Sequence, residues 1–200
     1  MALFGILLLV FAIVAGLSAK QGLWSSAINV INVTMAAILA TNFFEPLATL
    51  ADAPGSMYML DAIMLWAVFG VSYIVLRLIT QSLSDHEVLF IKPVDLAGRA
   101  ILGIWCGWIF VCFTAFTMMT APIGAQPMGA WENPTAKSFL VFTPEQMWLA
   151  FAQSRSMGAL SNSNSGAPLH PQDATTGSQV FDSNAEYTFK YFSRRKQADK

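Results

Sequence analysis

Charge is scarce in this chain, and its scarcity follows position. Only 12% of the 200 residues are Asp, Glu, Lys or Arg, against about 25% in soluble domains. Residues 1–19, 21–44, 62–76 and 100–131 contain none at all, which excludes an ordinary soluble domain. The net charge of −1 argues against nucleic acid as a partner, because neutralising phosphates takes a basic face. Histidine and cysteine number two each. His86 has no second His or Cys near it and reads as a solvated loop residue rather than a metal ligand. Cys106 and Cys112 stand six residues apart on one predicted helix; they cannot bridge within it and read as small apolar filler. No Lys or Arg precedes the first apolar run, so the basic n-region of a signal peptide is missing and the run reads as a retained span.

Catalytic signatures are missing too. Asp61 is the only acid in any predicted span, and no histidine lies in one. There is no H-E-x-x-H, no phosphate-cradling glycine loop and no C-x-x-C, the patterns that carry metal, phosphate or thiol chemistry. The segment Gly70-Val71-Ser72-Tyr73 lacks the following glycine and the base of a nucleophile turn. The expectation is a protein that is not an enzyme and needs no cofactor.

What is present is hydrophobic: 55% of the residues, with a mean hydropathy of +0.53. A bilayer's hydrocarbon layer is about 30 Å thick and takes roughly 20 helical residues at 1.5 Å each. The expected fold class is therefore all-α, a polytopic membrane protein with four transmembrane helices and a mostly disordered polar C-terminal tail, its first partner the lipid bilayer. The spans are expected at Ala2–Ser18, Gly22–Phe44, Met57–Ser82 and Ala97–Ala121. Glu45-Pro46 should end the second, since proline cannot continue the ladder. Cations set orientation: Lys20 lies in the first connector and Arg77, Lys92 and Arg99 flank the third, while the second connector and the N-terminus have none. Both termini are thus expected on the non-cytoplasmic side.

Within a bilayer, small residues mark contact faces. Gly5, Ala12 and Gly16 share a face of the first span, and Gly103 and Gly107 form a small-xxx-small pair on the fourth. They serve packing within one chain, or a seam for self-association or for another membrane protein. The second span is the most polar: Ser25, Asn29, Asn32 and Ala36 follow the i, i+4, i+7, i+11 spacing of one helical face. Asn32 falls about 15 Å from the inner edge. Its face must meet another helix or water, as interhelical hydrogen bonds or as the lining of a solute path. Asp95 suits the N-cap of the fourth span, and Asp95 and Arg99 stand at i, i+4 spacing, where they can pair.

The chain divides into a membrane domain over 1–121, a linker over 122–142 and a polar tail over 143–200. Asp85 to Pro93, in the third connector, is expected to dip into the membrane interface with its charged ends in water. Thr143-Pro144-Glu145-Gln146 opens an amphipathic helix ending near residue 158, with Met147, Trp148, Phe151 and Arg155 on a face that meets the membrane or a partner. Ser161 to Gln179 is too polar to fold. Tyr187, Phe189 and Tyr191 alternate with polar residues, which suits a short strand or an aromatic sticky end.

The order of these features resembles the colicin V production protein family, CvpA, small bacterial inner-membrane proteins with four spans. Lys20-Gln21-Gly22 is similar to that family's basic residue and glycine after the first span, with one residue interposed. Asp95 followed by Gly103 and Gly107 is similar to its acid and four-spaced glycines. Gly98 lies one position early, Arg99 stands in its expected place, and Cys106 replaces the usual basic residue. The resemblance covers about residues 1–121. It implies an inner-membrane location, a role in toxin production, secretion or envelope homeostasis, and structural positions at Gly22, Asp95, Gly103 and Gly107. The alternatives are an oligomeric small-solute channel or transporter subunit lined by Ser25, Asn29 and Asn32, or an accessory subunit of a larger membrane complex.

Overall fold

The structure is a computed structural model, and it describes residues 2–50, 57–84, 90–121, 143–156 and 187–188. These residues form five α-helices: α1 (Ala2–Ala19), α2 (Leu23–Leu50), α3 (Met57–Leu83), α4 (Lys92–Thr120) and α5 (Pro144–Ser156). Within α2, α3 and α4 lie apolar stretches long enough to cross a membrane, and α1 supplies a shorter apolar helix, Leu3–Ala19. The all-helical, multi-pass architecture is as the charge pattern predicts.

Two helix boundaries differ from expectation. α2 runs through Pro46 to Leu50 instead of ending at Phe44. Pro46 removes only the N–H that would reach the Asn42 carbonyl. Ending the helix there would free four carbonyls in an apolar setting, where one missing bond costs less. α4 starts at Lys92, five residues before the expected Ala97, with Pro93 in its first turn. Proline is pre-organised for that position and needs no N–H there, while Val94 and Asp95 donate their N–H groups to the Ile91 carbonyl at 2.9 and 3.0 Å.

α2 and α4 pack against each other at the centre; α1 lies mainly on α4, α3 lies mainly on α2, and α1 barely touches α2. Close approach of α1 to α4 depends on two glycines. A Cβ on Gly103 would stand 2.8 Å from the Ala15 carbonyl oxygen, and one on Gly107 would stand 3.1 Å from the Phe11 carbonyl oxygen. The small-xxx-small pair is thus spent inside one chain, on α1's backbone. Gly5 and Gly16 have nothing within 4 Å of such an added atom, so the small-residue face of α1 is open. The lipid-facing side of α3 is apolar, with Ile74, Leu78 and Ile79 all at least half exposed.

The two ends of the bundle differ in kind. At the end carrying the α2 and α4 C-termini the core is aromatic. Phe69 stacks on Phe113 at 4.7 Å between ring centroids, and Trp148 of α5 meets Phe113 edge-on at 5.8 Å. Tyr187 packs on Phe116 at 5.2 Å and on Phe44 at 6.3 Å. Thr114, Thr117 and Thr120 donate their hydroxyls to carbonyls three or four residues back, which satisfies them within α4.

α5 forms where its capping residues predict, but it docks into the bundle. Glu145, Trp148, Leu149 and Ala152 are buried, whereas Met147 and Phe151 are exposed. The expected grouping of Met147, Trp148, Phe151 and Arg155 on one outward face therefore fails at Trp148. Its indole Nε1 donates to Thr41 Oγ1 at 2.9 Å, a bond that satisfies a buried N–H the membrane surface would leave to water. Tyr187 and Thr188 are helical, so the strand reading does not hold there. Residues 122–142, Ser161 to Gln179, His86, Phe189 and Tyr191 lie outside the described residues.

Candidate functional site

The opposite end, between the first half of α2 and the last turns of α3, is polar and open. The tight turn before α2 depends on Gly22, whose φ of +81° is left-handed and free of strain only for glycine. The first N–H of α2, at Leu23, donates to Asp95 Oδ1 at 2.8 Å. Asp95 is thus a cap, as its chemistry suggests, but for α2 and across 72 residues; the N-cap residue of α4 is Ile91, without a side-chain bond. Arg99 approaches the other Asp95 oxygen at 3.9 Å, the expected i, i+4 pair. Gly98 lies directly under Leu23, where any Cβ would collide with the leucine methyl groups. Lys20 is exposed in the turn. Gly22, Asp95 and Gly98 therefore form one corner that fixes where α2 begins against α4.

That corner aims the polar face of α2 at α3. Asn32, 3% exposed, donates its Nδ2 to Thr80 Oγ1 at 2.8 Å, and Thr80 donates to the Arg77 carbonyl at 3.1 Å. Asn29 joins three other helices. Its Oδ1 accepts from the Tyr73 hydroxyl at 2.9 Å, and its Nδ2 faces Ser18 Oγ at 3.4 Å and Cys106 Sγ at 3.6 Å. Arg77 Nη1 donates to the same Tyr73 oxygen at 3.0 Å. Trp24 Nε1 donates to Ser84 Oγ at 2.7 Å across the mouth. Both cysteines are buried and free, and Cys106 adds to its filler role a weak acceptor for Asn29.

Between these groups lies a cleft of about 470 Å³, lined by Gln21, Trp24, Ser25, Ile28, Asn29 and Asn32 of the turn and α2 and by Arg77, Thr80, Gln81 and Ser84 around the end of α3. The polar residues expected at the site, Ser25, Asn29 and Asn32, all line it. Gly16 lies on the open face of α1, away from it, and Gly103 and Gly107 serve the α1–α4 contact. The sequence reading missed Tyr73, Arg77, Thr80 and Gln81 as parts of the site. Their signal is visible afterwards: Tyr73, Arg77 and Thr80 of α3, with Ser84 just past its end, are spaced i, i+4, i+7, i+11, the same spacing as the stripe on α2. Among the described residues, no three His, Cys, Asp or Glu side chains gather where they could hold a metal ion.

A helical bundle of membrane-spanning length, with a polar cleft at one end and an aromatic seal at the other, defines a polytopic membrane protein. The chain matches the family model described as "Colicin V production protein" over residues 5–163 and belongs to that family. The match extends well past the expected limit at residue 121 and takes in α5, in keeping with the docking of α5 on the bundle. No curated protein and no solved structure matches the chain.

Proposed function

We propose that this chain is a non-enzymatic protein of the bacterial inner membrane that supports production or export of a colicin V-like toxin, or the upkeep of the envelope, by holding a ligand or partner at its polar end. The observation that carries the reading is the division of one bundle into two halves. The α2–α3 cleft presents amides, hydroxyls and a guanidinium, groups suited to grip a ligand, and the aromatic half closes the bundle behind it. Family membership supports the link to toxin production. The positive-inside rule places the cleft at the cytoplasmic face and both termini outside; cysteine labelling from each side of the membrane tests that orientation. The exposed Gly5, Ala12 and Gly16 strip on α1 is the surface left for self-association or another membrane protein. In a strain lacking the gene, toxin release and survival under membrane stress should fall and be restored by the wild-type chain. Unchanged toxin release and unchanged stress survival would remove the reading.

A second reading is favoured by the same cleft. An oligomer could extend the lining of Ser25, Asn29 and Asn32 into a path for a small solute. Liposome flux with Asn32→Leu as control tests this, and no flux of common ions or small neutral solutes removes it.

A further inference from the structure

We propose that the α2–α3 cleft binds a phosphate oxyanion, that of an anionic phospholipid headgroup, with Arg77 as its anchoring cation. This deepens the reading of the cleft given above and rests on the chain spanning a bilayer.

The charge balance of the cleft is one-sided. Among the described residues, Arg77 is the only charged one that lines it. Among the described residues its guanidinium bonds only the Tyr73 hydroxyl, while the ion pair at this end belongs to Arg99 and Asp95. Arg77 sits about 9 Å inside the end of α3 by helical rise, a depth from which a long cationic side chain reaches phosphate groups. A guanidinium carries five N–H donors in a planar fork that matches phosphate bidentately; one is used here.

The fork is held before any ligand arrives. Tyr73 accepts from Arg77 and donates to Asn29, and Asn29 faces Ser18 and Cys106. Fixing the donor in advance removes an ordering cost from binding. Thr80, bonded to Asn32, lies on the same wall. The cavity falls within the 300–1,000 Å³ range of small-molecule sites. Next to Arg77 on the helical surface, Ile74 and Leu78 (i−3 and i+1) present exposed apolar side chains on α3. Acyl chains can lie along them while the headgroup enters the cleft. Free inorganic phosphate shares the oxyanion chemistry but makes no use of these side chains.

The test is native mass spectrometry of the full-length chain in mild detergent, titrated with phosphatidylglycerol, with phosphatidylcholine and, separately, with inorganic phosphate. The wild type should retain one phosphatidylglycerol per chain in preference to phosphatidylcholine. Arg77→Gln should weaken that binding about tenfold, the loss of one charge-assisted pair. Arg77→Lys, which keeps the charge and loses the fork, should fall between them. Lys92→Gln removes the same charge from the exposed start of α4, outside the cleft, and should leave binding unchanged. Equal lipid retention in Arg77→Gln and wild type, equal weakening by Lys92→Gln, or no retention of lipid or phosphate by the wild type each overturns the proposal. One-to-one uptake of phosphate, lost in Arg77→Gln and without lipid retention, keeps the oxyanion site and assigns it to free phosphate. Because binding is read on the purified chain, intact lipid binding with no envelope or toxin phenotype sinks only the cellular role. Lost lipid preference with full complementation sinks only this site.

Discussion

Four glycines in α1 and α4 offer a paired experiment in which one substitution has opposite signs. Exchanging glycine for alanine inside a helix normally stabilises by roughly 0.5–1 kcal/mol, through reduced backbone freedom in the unfolded chain. Gly5 and Gly16 have open space where the methyl would go, so Gly16→Ala should be neutral or stabilising by up to about 1 kcal/mol. At Gly103 the same methyl meets the Ala15 carbonyl oxygen at 2.8 Å, the Ala19 Cβ at 3.1 Å and the Ala19 nitrogen at 3.2 Å. Two of these are backbone atoms, which no side-chain rotation can move away. α1 and α4 must separate, at an overpacking cost of about 1–3 kcal/mol partly offset by the helix term. The net expectation is a loss of about 1–2 kcal/mol, so the two variants should differ by roughly 2 kcal/mol, near 30-fold in the unfolding constant. Reversible unfolding in mixed micelles, followed by circular dichroism, reads the difference. Gly103→Ala proving as stable as wild type, or Gly16→Ala losing as much as Gly103→Ala, would refute the assignment of the small-residue pair to the α1–α4 contact.

Other outcomes follow from single contacts. Asp95→Ala should cost about 1 kcal/mol as a lost helix cap, and Asp95→Asn should recover most of it; the same unfolding assay decides, and equal losses would deny the cap to α2. Trp148→Phe should cost about 1 kcal/mol for the bond to Thr41, whereas Trp148→Ala should cost about 3–5 kcal/mol and release α5, seen as faster proteolysis at residues 143–156. Cys106 and Cys112 should resist a membrane-permeant maleimide in the folded chain and react on unfolding, as burial blocks access to both; rapid labelling of either in the native state would contradict their place in the core.

The candidate site was half legible. Ser25, Asn29 and Asn32 announce themselves because polar groups on one face of an apolar helix must find partners. Arg77 and Thr80 near the end of α3 pass for interface residues until the α2 stripe is set against them. The departures at α4 and α5 have a common cause. Asp95 and Trp148 each have the chemistry their local sequence suggests, a carboxylate for free N–H groups and an indole for a half-apolar setting, but the group each serves lies 72 and 107 residues away.

What the amino-acid order decides alone is the count and membrane character of the helices, because runs without charge are legible residue by residue; their ends are less so, as α2 passes through Pro46 and α4 starts at Lys92. What only the tertiary structure decides is which faces meet. Glycines at 103 and 107 permit close approach without naming the partner, and α1 is that partner. A polar stripe on α2 demands hydrogen bonds without naming the donors, and α3 supplies them. The cleft and the aromatic seal exist only once helices distant in sequence are set side by side, since each is made of half-satisfied faces that no one segment completes.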